Sequence, residues 1–141
     1  MKVVVALVVW LSLLAVAHAS ETAEGLVEGG LVAYKEGGAK AAIEAWIKGS
    51  GLEGGKEALS QANTLRQVED YYGKFEDYEI IKSQVLSKRA VMVLFVMNFS
   101  KGTTFGRFQA YREKTGNWVA NQFMFHTDVR SVWPESMVFG E

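Results

Sequence analysis

The sequence predicts an α+β fold in which N-terminal helices pack on a curved antiparallel β-meander. Three observations predict it. Residues 88–127 read as three β-rich runs joined by two short glycine turns, Lys101-Gly102 and Thr115-Gly116, the pattern of consecutive hairpins. The chain before them carries apolar residues at helical spacing. Gly37-Gly38, Gly49-Ser50-Gly51 and Gly73 end the successive helical stripes.

Taken in order, the first residues form a targeting segment. Lys2 gives a positive start, Val3–Val16 is apolar, and Ala17-His18-Ala19 puts small residues where a signal peptidase reads. Residues 1–19 are therefore expected to be a cleaved signal peptide and residues 20–141 the domain. The alternative is a membrane anchor, but the apolar run is shorter than the roughly 20 residues a spanning helix needs. Cleavage would leave about 120 residues, the size of one ordinary domain. The chain has no cysteine, so no disulfide or lipid-linked cysteine can hold it, and an exported domain must rely on its core. Formal charge is −1, and removing Lys2 takes it to −2. That balance gives no electrostatic case for nucleic acid or an acidic membrane surface.

Ser20–Glu36 carries Ala23, Leu26, Val27, Gly30, Leu31 and Tyr34 on one helical stripe, although Gly25, Gly29 and Gly30 each weaken it. Gly37-Gly38 interrupts it. Ala39–Lys48 repeats the pattern with Ala39, Ala42, Ile43, Trp46 and Ile47, and Gly49-Ser50-Gly51 ends it. Gly54–Tyr72 is a third helix whose stripe includes Ala58, Ala62, Leu65 and Tyr72, with Gly73 as its stop. Phe75–Leu86 starts the sheet, anchored by Tyr78, Ile80 and Ile81. The tail, Asp128–Glu141, has no period, yet Val132, Trp133, Val138 and Phe139 are too apolar to stay solvated.

If both turns are two-residue loops, parity sorts the strands into faces. The inner face, toward the helices, collects Val91, Val93, Phe95, Met97, Phe99, Gly106, Phe108, Ala110, Val119, Asn121, Phe123 and Phe125. The outer face collects Met92, Leu94, Val96, Phe105, Arg107, Gln109, Tyr111, Trp118, Ala120, Gln122, Met124 and His126. So apolar an outer face is not left to water. A homodimer that buries Met92, Leu94, Val96, Arg107, Gln109, Tyr111, Trp118, Gln122 and Met124 is the expected remedy. The competing one is the tail folded over that face, with Trp133 and Phe139 as plugs.

The run AWIKGSGLEG…LSQANTLRQVEDYYGKFEDYEII, followed by GNWVANQFMFHT, resembles a group of small exported bacterial proteins of the NTF2-like (cystatin-like) α+β roll. The resemblance covers roughly Gly38–Asp128. It implies a curved sheet wrapped on a helix around a cone-shaped cavity, and a periplasmic or secreted location. The group has no assigned activity. Enzymes of similar outline, such as ketosteroid isomerase and scytalone dehydratase, place Asp, Tyr or His in that cavity, so the fold does not choose between catalysis and binding.

Chemistry-bearing residues are sparse. Outside the signal segment His126 is the one histidine. No metal site or cofactor is expected, and a cysteine nucleophile is excluded. His126 is the weak candidate for a catalytic acid or base, against the simpler reading of a strand-end histidine. Glu69-Asp70 and Glu76-Asp77 flank Tyr71-Tyr72, and a carboxylate beside a tyrosine could enolise a substrate; solvated surface acids are the simpler reading. Tyr34, Trp46, Tyr72, Phe95, Phe108, Asn121 and Phe123 are the pocket candidates, set against plain core packing. The expected function is non-enzymatic binding of an apolar small molecule or a protein. The alternatives are an isomerase- or dehydratase-like enzyme and a structural subunit without a cavity. Mass spectrometry of exported protein is expected to find a chain starting at Ser20; an intact Met1 start in the membrane fraction would contradict the signal reading.

Overall fold

The computed structural model describes residues 20–140. The expected signal segment lies outside them. Helix α1 (Ala23–Ile47) starts at Thr22, whose hydroxyl accepts a hydrogen bond from the Gly25 N–H at 2.9 Å. Gly38 interrupts it at φ 85° and ψ −173°, a conformation open to glycine and strained for other residues. The expected break is therefore present, but as a kink between two abutting segments. Both expected stripes are buried, Ala23 to Tyr34 on the first segment and Ala39 to Ile47 on the second. Helix α2 (Lys56–Tyr72) buries Ala62, Leu65 and Val68 and ends at Gly73, φ 81°, whose N–H bonds the Glu69 carbonyl at 2.8 Å.

Strands β1 (Phe75–Ser87), β2 (Ala90–Phe99), β3 (Gly102–Arg112) and β4 (Trp118–His126) form one antiparallel sheet in sequence order, curved and unclosed. The architecture is the α+β one that the sequence predicts. The β2–β3 turn differs from expectation in one detail. Phe99 faces Gly102, so the loop is Ser100-Lys101. Those two residues donate their N–H groups to the carbonyls of Lys74 and Tyr72, at 3.0 and 2.8 Å. Gly102 serves space rather than the turn, because a side chain there would run into the Tyr72 ring. The pairing moves by an even step, with Phe99 opposite Gly102 instead of Thr104, and the faces of β2 and β3 stay as expected.

The β3–β4 pairing corrects the rest. Gln109 faces Gln122, but Ala110 faces Ala120, so Asn121 is an extra residue. That bulge reverses the parity of the first half of β4. Asn121, expected inside, is exposed. Ala120 and Trp118, expected outside, lie on the core side, and Val119 moves outward. Three more bulges interrupt β1. Ile81, expected as a buried anchor, is exposed there, while Tyr78 and Ile80 are half-buried against the core.

The core is built on Trp46. Its ring centroid lies 5.6 Å from Phe95, 5.8 Å from Phe108 and 5.2 Å from Phe123, and Phe108 stacks on Phe123 at 5.6 Å. Its indole N–H donates to the Val27 carbonyl at 2.9 Å, which ties the second segment of α1 to the first. The outer face carries its own small buried cluster. Leu94 and Val96 are buried there, as is Val132 of the tail. The Trp133 ring meets Phe105 edge-on at 5.2 Å, and its N–H donates to the Gly106 carbonyl at 3.0 Å. The tail, with a short 3-10 turn (Val129–Ser131) and helix α3 (Glu135–Phe139), thus covers part of that face. Trp133 is the plug; Phe139, the other expected plug, is 69% exposed.

Two adjacent glycines make a sharp test of this packing. A methyl on Gly30 would enter the Trp46 indole, whereas one on Gly29 would meet open space. Gly29→Ala is expected to stabilise by about 0.5–1 kcal/mol through helix propensity. Gly30→Ala is expected to destabilise by about 1–3 kcal/mol, the usual penalty of overpacking. Thermal or urea unfolding of the two variants checks both signs.

Candidate functional site

The pocket candidates do not come together. Trp46, Phe95, Phe108 and Phe123 pack on one another as filled core. Tyr34 sits apart, 4.4 Å from Phe75 and 6.2 Å from Phe99 between ring centroids. Tyr72 is half-buried against the β2–β3 turn, and Asn121 points out of the bulge. Of the interface candidates, Leu94 and Val96 are buried under the tail side, and Trp118 is on the other face. Met92, Arg107, Gln109 and Met124 are half-buried, and Tyr111 and Gln122 are exposed. Arg107 donates to the Met124 sulfur at 3.0 Å, and Arg89 lies 4.7 Å over the Tyr111 ring.

What the structure does assemble is a trough between α2 and β4. Helix α2 rests on α1, and its C-terminal end touches the sheet through Tyr72 at the β2–β3 turn. Along the rest of its length a gap separates it from β4, which is an open edge of the sheet. The wider part holds about 590 Å³ between Glu57, Ala58 and Gln61 on α2 and Asn121, Gln122, Phe123 and Met124 on β4, with Ile47 and Leu52 as its end. The narrower part holds about 350 Å³ between Thr64, Gln67, Val68, Tyr71 and Tyr72 and Phe125, His126 and Thr127. Successive residues of β4 line it without skipping, so the strand presents its edge, with main-chain donors and acceptors, as well as side chains. The walls mix amide and hydroxyl groups with aromatic rings and the aliphatic Ile47, Leu52, Ala58 and Val68, and Glu57 is the one formally charged lining residue.

His126 lies in this trough. Its Nδ1 accepts a hydrogen bond from the Asp128 N–H at 2.9 Å, so the neutral ring carries its proton on Nε2. Asp128 is held below the usual carboxylate range by the Arg130 side chain and backbone N–H that bond it. Sequence reasoning named His126, Tyr72, Asn121 and Phe123 but missed Gln61, Thr64 and Gln67. Polar helix positions read as solvated face, and the lack of charge among these three was the signal available.

A carboxylate–tyrosine pair does occur, with the expected Glu69 but with Tyr34 in place of Tyr71 or Tyr72. The Tyr34 hydroxyl donates to Glu69 Oε1 at 2.7 Å. Burial, with the Glu69 hydrogen bond and charge, pushes the phenol far above its ordinary value. Neither residue lines the trough or the groove between α1 and α2. Among the described residues no three His, Asp or Glu side chains gather as metal ligands.

Comparison with known proteins finds no matching family model, no matching curated protein and no matching solved structure.

The Tyr34 shift has a pH consequence. A raised folded pKa means that the unfolded chain loses this proton first, so stability is full below about pH 10 and falls as pH rises beyond it. The expected slope from this group approaches about 1.4 kcal/mol per pH unit. Urea unfolding from pH 8 to 11 is expected to show a steeper decline in wild type than in Tyr34→Phe.

Proposed function

We propose that this chain is an exported binding module of the NTF2-like roll type, and that it takes an extended, uncharged peptide segment of a partner protein along the β4 edge. The observation that carries the reading is that two neighbouring grooves beside α2 are lined by consecutive residues, Asn121 to Met124 in one and Phe125 to Thr127 in the other. An added strand satisfies a free edge through main-chain hydrogen bonds, and alternate side chains then choose the sequence. The α2 wall supplies Gln61, Thr64 and Gln67, which can bond either amide or hydroxyl groups of the guest. Tyr71, 81% exposed, offers an aromatic surface at the narrow end. Export rests on the signal pattern of residues 1–19, and the roll family on the resemblance over Gly38–Asp128 together with an α+β architecture compatible with it. The enzyme alternative gains less support, since the Tyr34–Glu69 pair is turned to the helix interface and away from the grooves.

Panning the purified protein against a displayed library of random dodecapeptides tests this. Selected peptides are expected to bind at micromolar strength. Thr64→Trp, which fills the trough from an exposed helix position, is expected to weaken them by about tenfold or more. Leu59→Ala, in the groove between α1 and α2, is expected to leave them unchanged. Peptides indifferent to Thr64→Trp, or no selected peptides at all, would overturn the assignment.

A further inference from the structure

Strand β1 is the other open edge of the sheet, and its second half is bare. Every residue from Ile81 to Ser87 is exposed, including Ile81 at 42%, Val85 at 68% and Leu86 at 53%. An exposed edge of this kind recruits another strand unless it is defended, and bulges and an edge lysine are common defences. Here both defences favour one particular partner. Acidic residues sit in the first half of β1 and Lys82 in the second. Among the described residues neither Glu79 nor Lys82 has an ion-pair partner.

The bulge at Ile81 sets the phase. Before it, Glu79 faces Val96 on the outer face and Tyr78 faces Met97 on the inner face. After it, Lys82 faces Leu94 on the outer face and Ser83 faces Val93 on the inner face. The alternation reverses across the bulge. Place two copies of β1 antiparallel with a two-fold axis between Ile80 and Ile81. Glu79 of one copy then lies opposite Lys82 of the other, and Tyr78 opposite Ser83, each pair on a shared face. In an unbulged strand the same pairs would point to opposite faces. The axis repeats the Glu79–Lys82 pair twice and brings Ile80 against Ile81.

We propose that β1 pairs with β1 of a second copy of this chain, making one continuous sheet across a two-fold axis. The inference stands apart from the peptide reading, because β4 and its trough remain open in such a dimer. It also differs from a dimer through the outer face, part of which the tail already covers.

Sedimentation velocity of the purified protein at low salt is expected to show a monomer–dimer equilibrium that weakens as salt is added. Glu79→Lys and Lys82→Glu, both at exposed positions, are each expected to raise the dimer dissociation constant by about tenfold. The double variant Glu79→Lys/Lys82→Glu is expected to return to within about threefold of wild type, because the two-fold axis restores opposite charges across the pair. A wild type that is monomeric at about 100 μM, single variants that dimerise like wild type, or a double variant without recovery would each overturn the proposal.

Discussion

The position of the Trp46 indole is the constraint on which the rest of the structure depends. It fills the space between the first segment of α1 and the sheet, touching Phe95, Phe108 and Phe123 on three different strands. Large aromatic rings bring much buried area, but a ring this size needs room made for it. One glycine makes that room, and a second makes room for the Phe95 ring beside it. Gly30 leaves a flat patch on α1 against the indole, and Gly106 leaves one on β3 against the Phe95 ring. A third, Gly38, provides the kink that lets the chain double back, so that a residue from the second segment can donate to the Val27 carbonyl of the first. Remove the ring and the two segments of α1 lose their shared hydrogen bond as well as their common floor.

Much of the fold was legible for a simple reason. Buried stripes repeat with the period of their element, so Ala23 to Tyr34, Ala39 to Ile47 and the odd-numbered residues of β2 could be read as faces without knowing what they face. What was not legible depends on contacts between distant residues. Gly102 reads as a turn glycine, yet its role is to clear the Tyr72 ring, and the turn itself is positioned by the carbonyls of Tyr72, at the end of α2, and Lys74, just before β1. The extra residue at Asn121 leaves no mark in composition, because an asparagine in a strand fits an inner polar group as well as a bulge. The trough was hidden for the same reason. Its walls are ordinary polar helix and strand-edge positions, and only the distance between α2 and β4 makes them a site.

The sheet meets solvent in three ways. Its inner face is closed by α1, with α2 laid over that helix. Its outer face is closed in part by Trp133 and Val132, which leaves Tyr111, Gln122 and the half-buried Met92 nearer the solvent. Its two edges are left open and carry different chemistry. β4 is flanked by a helix across grooves that mix amides and hydroxyls with aromatic and aliphatic side chains. β1 stands without a flanking helix over its second half and carries separated charges and exposed aliphatic side chains.

Helix α2, which forms one wall of the trough, is fastened at both ends. Its C-terminal end is tied several times over. Tyr34 donates to Glu69, the Tyr72 carbonyl accepts from the Lys101 N–H and the Ser100 hydroxyl, and Gly73 closes the last turn on Glu69. Its N-terminal end starts at Gly55 with no side-chain cap and is joined to α1 by a glycine-rich turn. That turn is itself bonded, the Gly49 N–H to Glu53 Oε2 at 2.8 Å and the Gly55 N–H to the Leu52 carbonyl at 3.1 Å, and the groove volumes are about 350 Å³ beside the C-terminal end of α2 and about 590 Å³ toward the N-terminal one. The Tyr34–Glu69 bond holds the C-terminal half of α2 to α1. Glu69 follows Val68, which lines the narrow part, so this bond helps to place that wall.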